Sequence, residues 1–296
     1  MPTSRFHPVE SPYLASVEGR FRVKKAATCP PRSKRDDAEN EAALAEAIEA
    51  LGRRQARLMA NDQRSLLVVF QAMDAAGKDG TIRAVMTGVN PAGVEVYSFK
   101  KPSTLELDHD FLWRVNRCLP ERGRIGIWNR SHYEEVLVVR VHEAFLDHQR
   151  LPDRPKPETL FAERYESIRD FEKHLARNGT RIVKFWLNVS KDEQKKRFLE
   201  RIAEPEANWK FRAADVRERA HWDAYMDAYE RAIRETSRPW APWYVVPADD
   251  KRYMRRVVAD ILARTLKDMS LAYPAPTKDE LRDMKLAKVE LERESD

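Results

Sequence analysis

Residues 65–81 read SLLVVFQAMDAAGKDGT, and this stretch decides the fold. Residues 65–70 are a short, almost unbroken apolar run, which is typical of a strand buried on both faces of a parallel sheet. Small residues follow, and then Gly77-Lys78 opens a stretch of helix-forming sequence. A strand, a small-residue loop and a helix in this order predict a phosphate-binding loop, because backbone N–H groups at the helix start form an anion-binding nest.

The loop departs from the G-x-x-x-x-G-K-[ST] pattern at two positions. Ala72 stands where the pattern has its first glycine, and Asp79 stands where it has a magnesium-contacting hydroxyl. We therefore expect Asp74 to order Mg²⁺ and Lys78 to carry positive charge to the terminal phosphates. The alternative, a strand–helix turn that uses glycine only for close packing, does not call for these two residues together. The other loop residues expected to contact substrate are Ala75, Ala76, Gly77, Asp79, Gly80 and Thr81.

Outside this stretch, apolar runs and helix-forming segments alternate along the chain. The remaining strands are predicted at residues 94–99, 124–128, 181–189 and 243–246. Helices are predicted from about residue 37, over 105–119, over 160–179 and around 255–266. This alternation predicts an α/β fold, with a doubly wound, five-stranded parallel sheet as the middle of three layers.

The sequence indicates one domain with two extensions. Residues 1–37 mix Pro, Arg, Lys and Ser without periodicity and are expected to form an extended N-terminal arm. Residues 38–273 carry the alternating pattern of the domain itself. Residues 274–296 are charged and poor in apolar side chains, which predicts a frayed helix or a disordered tail.

The composition argues against several classes of protein. The chain has 296 residues with 54 Lys+Arg against 48 Asp+Glu, and a net charge of +6 is too small to indicate nucleic-acid binding. Its two cysteines, Cys29 and Cys118, lack the spacing of a disulfide framework or a zinc site. The first residues contain no apolar signal region, and no apolar run approaches the length of a membrane span. We expect a cytoplasmic protein that binds neither nucleic acid nor membrane.

A second polar cluster, residues 129–135 (NRSHYEE), follows the third predicted strand. The carboxyl ends of parallel strands face the ligand crevice, so these side chains are expected near the phosphate loop. Arg130 can bind a phosphoryl group through two N–H groups and offset developing charge. Either glutamate can hold Mg²⁺ through water or contact a nucleotide. The side chains expected in the crevice are Asn129, Arg130, His132, Tyr133, Glu134 and Glu135.

Two alternatives remain open for this cluster. Ser131 and Glu134 also fit an S-x-x-E capping box at a helix N-terminus. A lone histidine such as His132 is more often a hydrogen-bonded structural residue than a functional one. Neither alternative accounts for Arg130.

A basic segment precedes the fifth predicted strand. Arg197 and Arg201 are four residues apart on a predicted helix and therefore share a face. In the following EPEANWKFR, aromatic residues alternate with Lys210 and Arg212. In nucleotide kinases this position holds a mobile lid that excludes water, so we predict a helical lid at about residues 195–220. On charge alone, the alternative is a charged helix and loop on the surface.

Several long motifs in register resemble the second polyphosphate kinase family. They are QAMDAAGKDGTI, GVNPAGVEVYSF, LDHDFLWRV, IWNRSHYEEVLVVRVH, KFWLNVSKDEQKKRF, NWKF and ETSRPWAPWYVVPADDK, in family order. The similarity runs from about residue 18 to residue 274. The resemblance implies a P-loop kinase fold like that of thymidylate kinase, with a helical lid over a positively charged polyphosphate channel.

The resemblance also implies functional roles for particular residues. In the phosphate loop these roles fall on Asp74 and Lys78, and after the third strand they fall on Arg130. Family members that act on ADP read NRSWYN or DRSWYN where this chain reads NRSHYE. Glu134, the last residue of this motif, makes the chain resemble the members that accept both AMP and ADP. In the lid the family's substrate-binding roles fall on Arg197, Arg201, Lys210 and Arg212.

We therefore expect reversible, Mg²⁺-dependent phosphate transfer from inorganic polyphosphate to AMP and ADP by a homodimer or homotetramer. Asp74, Lys78, Arg130 and Glu134 are the expected catalytic residues, and Asp74 and Glu135 the expected magnesium ligands. One alternative is a nucleoside monophosphate kinase that uses ATP and needs no polyphosphate. The other is a non-catalytic polyanion-binding module, which would show no turnover.

Overall fold

A five-stranded parallel sheet is the centre of the structure, a computed structural model that describes residues 6–31, 36–152 and 155–294. The strands are β1 Ser65–Ala72, β2 Val94–Ser98, β3 Ile125–Asn129, β4 Thr180–Asn188 and β5 Trp243–Pro247. Their order across the sheet is β2-β3-β1-β4-β5, so β1 lies in the middle, and all its residues are buried. The predicted five-stranded α/β fold is confirmed, and the apolar run of β1 reflects burial on both faces.

Helices connect the strands and cover the sheet. They are α1 Asp37–Asn61, α2 Lys78–Met86, α3 Thr104–Leu107, α4 Trp113–Asn116, α5 Val138–Val141, α6 Pro157–Arg177, α7 Lys191–Ala203, α8 Ala213–Glu218, α9 Trp222–Thr236, α10 Lys251–Asp268 and α11 Lys278–Arg293. Helices α1, α2 and α10 pack together, and α6 packs with α9 and β4. Because the strands are parallel, the segments that follow β1, β3, β4 and β5 meet at one edge of the sheet.

The predicted helix over residues 105–119 is wrong. The segment contains two one-turn helices, α3 and α4, because a polar side chain bonds to the backbone between them. The Asp110 carboxylate accepts a hydrogen bond from the Leu112 amide at 2.9 Å, and the Trp113 amide donates to the Asp110 carbonyl. Such local bonds stabilise a turn in competition with a continuous helix.

The N-terminal segment lies along β5. Leu14 pairs with Tyr244 in antiparallel orientation, and the Val245 amide donates to the Tyr13 carbonyl at 2.8 Å. The Tyr244 hydroxyl donates to the buried Val9 carbonyl, also at 2.8 Å. The segment therefore covers the outer edge of the sheet, which would otherwise present unpaired backbone groups. Residues 1–5 and 32–35 of the predicted arm lie outside the described residues.

The charged C-terminal tail contains a helix. Helix α11 starts at a capping box between Thr277 and Glu280, and none of its residues is buried. Of the two alternatives for residues 274–296, a helix is therefore the one present over Lys278–Arg293. Within the described ranges, no helix has the length and apolar character that crossing a bilayer requires.

We predict that Tyr244→Phe lowers the free energy of unfolding by about 1–2 kcal/mol, because the buried Val9 carbonyl loses its donor. The matched control is Tyr165→Phe, since the buried Tyr165 hydroxyl has no hydrogen-bond partner among the described residues. Urea unfolding of the two variants measures the difference. Equal losses in both variants would contradict the proposed role of the bond between the N-terminal segment and β5.

Candidate active site

The phosphate loop, residues 73–77, joins the end of β1 to the start of α2. Gly77 caps the helix with φ 103°, and a Cβ at this position would lie 3.3 Å from the Met254 side chain. A larger residue would therefore be strained here in both conformation and space. The first backbone bond of α2 runs from the Thr81 amide to the Gly77 carbonyl at 2.9 Å. The amides that precede Thr81 in the helix have no intrahelical acceptor, so this turn can bind an anion.

Lys78 lies across the phosphate loop. It is the first residue of α2, and its ammonium donates to the Ala72 carbonyl at the end of β1, at 2.9 Å. Burial lowers the pKa of Lys78, and the nearby charge of Arg130 lowers it further. The side chain thus places a poorly solvated positive charge over the loop, where a phosphate oxygen can displace the carbonyl.

Arg130 faces the phosphate loop from the end of β3. Its guanidinium donates to Asp74 at 2.9 Å and lies 3.7 Å from the Glu134 carboxylate. The charge of Glu134, followed by that of Asp74, raises the pKa of Arg130 against the effect of burial. Burial raises the pKa of Glu134, and the charges of Arg130 and Lys78 oppose the rise. The predicted catalytic set, Asp74, Lys78, Arg130 and Glu134, is therefore brought together in one crevice.

Arg130 has an unusual backbone conformation. Its φ of 63° lies in the left-handed region, which is uncommon for a residue with a side chain. The Arg130 amide donates to the Phe70 carbonyl of β1 at 3.0 Å. Ala72, two residues further along β1, accepts from the Lys78 ammonium. Two carbonyls of the same strand thus bind the backbone of Arg130 and the side chain of Lys78.

Arg197 lies beneath the loop, which corrects the expectation that it approaches substrate from the lid. The side chain is 5 % exposed, and Glu193 accepts from its Nε at 2.9 Å. Its terminal nitrogens donate to the carbonyls of Ala75, Ala76, Ala248 and Asp249 at 2.7–3.2 Å. An arginine has five N–H groups, and these five acceptors use all of them.

The predicted lid segment consists of short helices, and it brings charges to the crevice. Arg212 is exposed, and Arg201 is half-buried with its guanidinium 5.6 Å from the Phe198 ring. Burial and the charge of Asp74 raise the pKa of Asp215 in α8, and Arg201 is first among the cations that oppose the rise. These groups therefore lie within electrostatic reach of Asp74. The side chain of Lys210 is not among those that the structure describes.

Two further residues act at this site that the sequence did not single out. Gln194 of α7 donates to the Asp74 carbonyl at 2.8 Å, so it supports the loop next to Arg197. Asp215 adds a carboxylate whose pKa is raised by the charge of Asp74. Its position three residues after Arg212, inside the predicted lid, was a usable signal. Nothing in the sequence distinguished Gln194 from other polar residues of a charged helix.

Three residues predicted to line the crevice lie on the core side of the loop after β3, and the prediction of their orientation is wrong. His132 and Tyr133 are buried, and Glu135 is held at 2.7 Å by Gln149 and at 3.2 Å by Arg164. Residues His132–Val136 form a 3₁₀ helix, which has three residues per turn and so directs successive side chains to different faces.

The remaining predicted contacts are positioned by local bonds. Thr81 is buried, and its hydroxyl donates to the Gly77 carbonyl at 2.9 Å, so it supports the loop from inside α2. The Asn129 amide donates to the exposed Asp79 carboxylate at the rim of the crevice. Ser131 is the N-cap of the 3₁₀ helix and accepts from the Tyr133 amide, so the alternative of a helix N-terminus is confirmed at Ser131, but Glu134 does not complete a capping box with it.

Fewer side chains are placed to bind magnesium than the sequence suggested. The described residues contain no group of three or more His, Cys, Asp or Glu side chains placed to hold a metal ion. Mg²⁺ at phosphate sites commonly takes only one or two carboxylates, with phosphate oxygens and water completing its shell. Asp74, partly exposed in the crevice, fits that chemistry. Glu135 does not, because Gln149 and Arg164 occupy its carboxylate on the other side of the loop.

A phosphate loop at the carboxyl edge of a parallel sheet, faced by one arginine and two carboxylates, defines a phosphotransferase of the P-loop kinase type. The sequence model described as Polyphosphate kinase 2 (PPK2) matches residues 33–274. The chain belongs to this family.

Two relatives and one solved structure are similar over most of the chain. The ADP-polyphosphate phosphotransferase of Rhodopseudomonas palustris is 55% identical over 231 residues, which are 78% of this chain and 80% of the relative. The AMP/ADP-polyphosphate phosphotransferase of Meiothermus ruber is 47% identical over 268 residues, 89% and 95% of the two chains. The crystal structure of Polyphosphate Kinase 2 from Arthrobacter aurescens TC1 matches with a TM-score of 0.82 at 36% identity, covering 95% of this chain and 99% of that one.

We predict that His132→Phe makes the protein more resistant to acid. Burial, and then the charge of Lys184, lowers the pKa of His132 to about 3, below the value of about 6.5 in an unfolded chain. Between these values the unfolded state binds a proton that the folded state does not, so folding stability falls as the pH falls. At pH 5 this effect is about 2 kcal/mol.

The measurement is the change in the free energy of unfolding between pH 7 and pH 5. Wild type should lose more stability than His132→Phe, whose ring can keep the contacts with Trp128 and Phe171. His174→Gln, at an exposed histidine, is the control and should follow wild type. Parallel pH profiles for wild type and His132→Phe would contradict a neutral, buried His132.

Proposed function

We propose that this protein transfers phosphate from inorganic polyphosphate to AMP and ADP, giving ADP and ATP in a reversible, Mg²⁺-dependent reaction. The observation that carries the proposal is the convergence of Asp74, Lys78, Arg130 and Glu134 in one crevice of a polyphosphate kinase 2 family member. The printed name of the Meiothermus ruber relative, which this chain matches over 95% of that relative's length, supports both acceptors.

The reaction needs positioning and charge stabilisation rather than a protein nucleophile. An oxygen of the acceptor's terminal phosphate forms a bond to the end phosphorus of the polymer. The bridging P–O bond behind that phosphorus breaks, and the shortened polymer keeps the electron pair. Lys78 and the amides of the α2 start hold the phosphates, and Arg130 stabilises charge on the transferring group. Asp74 would hold Mg²⁺, which supplies further neutralisation of phosphate charge.

The lid arginines complete this scheme. Arg201 and Arg212 share the neighbourhood of Asp215 and Asp74, so a phosphate chain entering there would meet positive charge outside the phosphate loop. Bringing them closer would exclude water from the transferring group. A cytoplasmic location and a homodimeric or homotetrameric assembly stay predictions.

Lys78→Ala should lower ATP formation from polyphosphate and ADP by about 100-fold, because one preorganised cation is lost from the phosphate site. The assay is luciferase detection of ATP with long-chain polyphosphate and Mg²⁺, using AMP and ADP separately as acceptors. Lys267→Ala, at an exposed lysine near the end of α10, is the control and should keep wild-type activity.

The same assay tests the alternatives. ATP formation from both acceptors by wild type supports the proposed function. Formation of ADP from ATP and AMP without polyphosphate, together with no product when polyphosphate is the donor in place of ATP, would favour the ATP-dependent kinase. No turnover in either assay by folded protein would contradict both enzymes and leave the polyanion-binding module.

Glu134→Asn should reduce activity with AMP at least about 10-fold more than activity with ADP. The Glu134 carboxylate lies 3.7 Å from the Arg130 guanidinium, and its charge interacts favourably with those of Arg130 and Lys78, the two cations of the crevice. We propose that this interaction is needed for the acceptor with only one phosphate, whose smaller negative charge leaves more of the cationic charge uncompensated. Measuring kcat/KM for both acceptors tests this, and an equal loss with AMP and ADP would contradict the role of Glu134 in acceptor choice.

A further inference from the structure

A buried ion pair lies on the core side of the loop after β3. Lys184 of β4 is fully buried, Glu172 of α6 is 2 % exposed, and their charged atoms are 2.6 Å apart. Burial lowers the pKa of Lys184 to about 8 and raises that of Glu172, and their mutual attraction opposes both shifts. A buried pair of this kind adds little net stability compared with apolar side chains of similar size. Stability alone therefore does not explain it.

The hydroxyl of Tyr133 is hydrogen-bonded to both residues of this ion pair. Lys184 donates to this hydroxyl at 2.8 Å, and the hydroxyl donates to Glu172 at 2.9 Å. The third ammonium hydrogen goes to the Thr236 carbonyl at 2.9 Å, so all three donors of Lys184 are satisfied. The Tyr133 ring also packs edge-on against Trp243 of β5. Elements β4, β5, α6 and α9 thus fix one tyrosine in position and direction.

Tyr133 lies between the two crevice residues of its loop. Arg130 precedes it by three residues and Glu134 follows it directly. On the N-terminal side, the left-handed Arg130 is held by the bond from its amide to Phe70 of β1. On the C-terminal side, the Tyr133 hydroxyl is bonded to Lys184 and Glu172, and the carboxylate of Glu135, two residues later, is bonded to Arg164. A strained backbone conformation persists only where its surroundings fix it, so both attachments are needed.

We propose that Tyr133, held by the Lys184–Glu172 pair, is a positioning residue that fixes Arg130 and Glu134 against the transferring phosphate. It touches neither substrate nor reacting atoms, and its effect passes through the backbone of residues 130–134. This inference rests on the proposed phosphate transfer for its kinetic consequence. Its structural consequence, a fixed loop, does not depend on the reaction.

The first test is Tyr133→Phe, which removes only the hydroxyl, with Tyr165→Phe as the matched control. Both tyrosines are buried, and the Tyr165 hydroxyl has no hydrogen-bond partner among the described residues. Tyr133→Phe should lower kcat with AMP and with ADP about 10-fold and leave both KM values within about twofold. Arg130 is proposed to act mainly on the transition state, so its displacement should lower kcat more than it weakens substrate binding. Hydrogen exchange of amides 130–134 should become faster in Tyr133→Phe and stay unchanged in Tyr165→Phe.

The second test removes the charges together, in Lys184→Met with Glu172→Leu, so that no buried charge is left unpaired. This double variant should keep a melting temperature near that of wild type and still show the lower kcat and the faster exchange. Adding Tyr133→Phe to it should cause no further loss, since the hydroxyl has already lost its partners.

The two readouts separate the possible failures. If wild type is active, two results would each overturn the positioning role. One is a folded Tyr133→Phe variant whose kcat equals that of wild type, and the other is unchanged hydrogen exchange at residues 130–134. If wild type forms no nucleotide but exchange becomes faster only in Tyr133→Phe, the attachment of the loop is supported and the proposed function fails. Unchanged exchange with an inactive wild type overturns both.

Discussion

The buried guanidinium of Arg197 is the contact on which the phosphate loop depends. It comes from α7 and bonds to two loop carbonyls and to the carbonyls of Ala248 and Asp249 after β5. A buried charge is strongly destabilising unless it is fully hydrogen-bonded, and here every N–H group has an acceptor. The C=O and N–H groups of a trans peptide point in opposite directions, so holding the Ala76 carbonyl towards α7 turns the Gly77 amide away from it. The anion-binding geometry of the loop therefore depends on α7.

Helix α7 is also the first helix of the predicted lid segment. It therefore connects that segment to the phosphate loop. Arg219, beyond α8 at the end of that segment, donates to Gln194 at 2.7 Å and to the Lys191 carbonyl at 2.9 Å. Gln194 in turn donates to the Asp74 carbonyl. A chain of hydrogen bonds thus runs from the end of the predicted lid segment to the backbone carbonyl of Asp74, the residue proposed to hold Mg²⁺. A movement of the predicted lid segment would therefore change the support of the Asp74 backbone, so the proposed chemistry and the proposed closure use the same contacts.

The loop after β3 divides its side chains between two environments. Arg130 and Glu134 face the crevice, where the guanidinium is shared between Asp74 and Glu134. In the proposed reaction, an entering phosphate chain would compete with those carboxylates for the same N–H groups. Tyr133 and Glu135 face the interior, where each is bonded to a partner on α6. The crevice groups can therefore exchange partners with substrate while the backbone that carries them stays attached to the core.

Sequence alone determined the strand–loop–helix unit and the parallel sheet, because the apolar run, Gly77 and Lys78 are adjacent. It also determined that Arg130 and Glu134 lie near the phosphate loop, since parallel strands bring their carboxyl ends together. It did not determine which way Arg197, Tyr133 and Glu135 point, nor that residues 105–119 break into two turns. Those outcomes depend on the pitch of a 3₁₀ turn, on local side-chain bonds to the backbone, and on partners from segments far along the chain. The tertiary structure decided them, because the free energy of burying a polar side chain depends on the acceptors that meet it there.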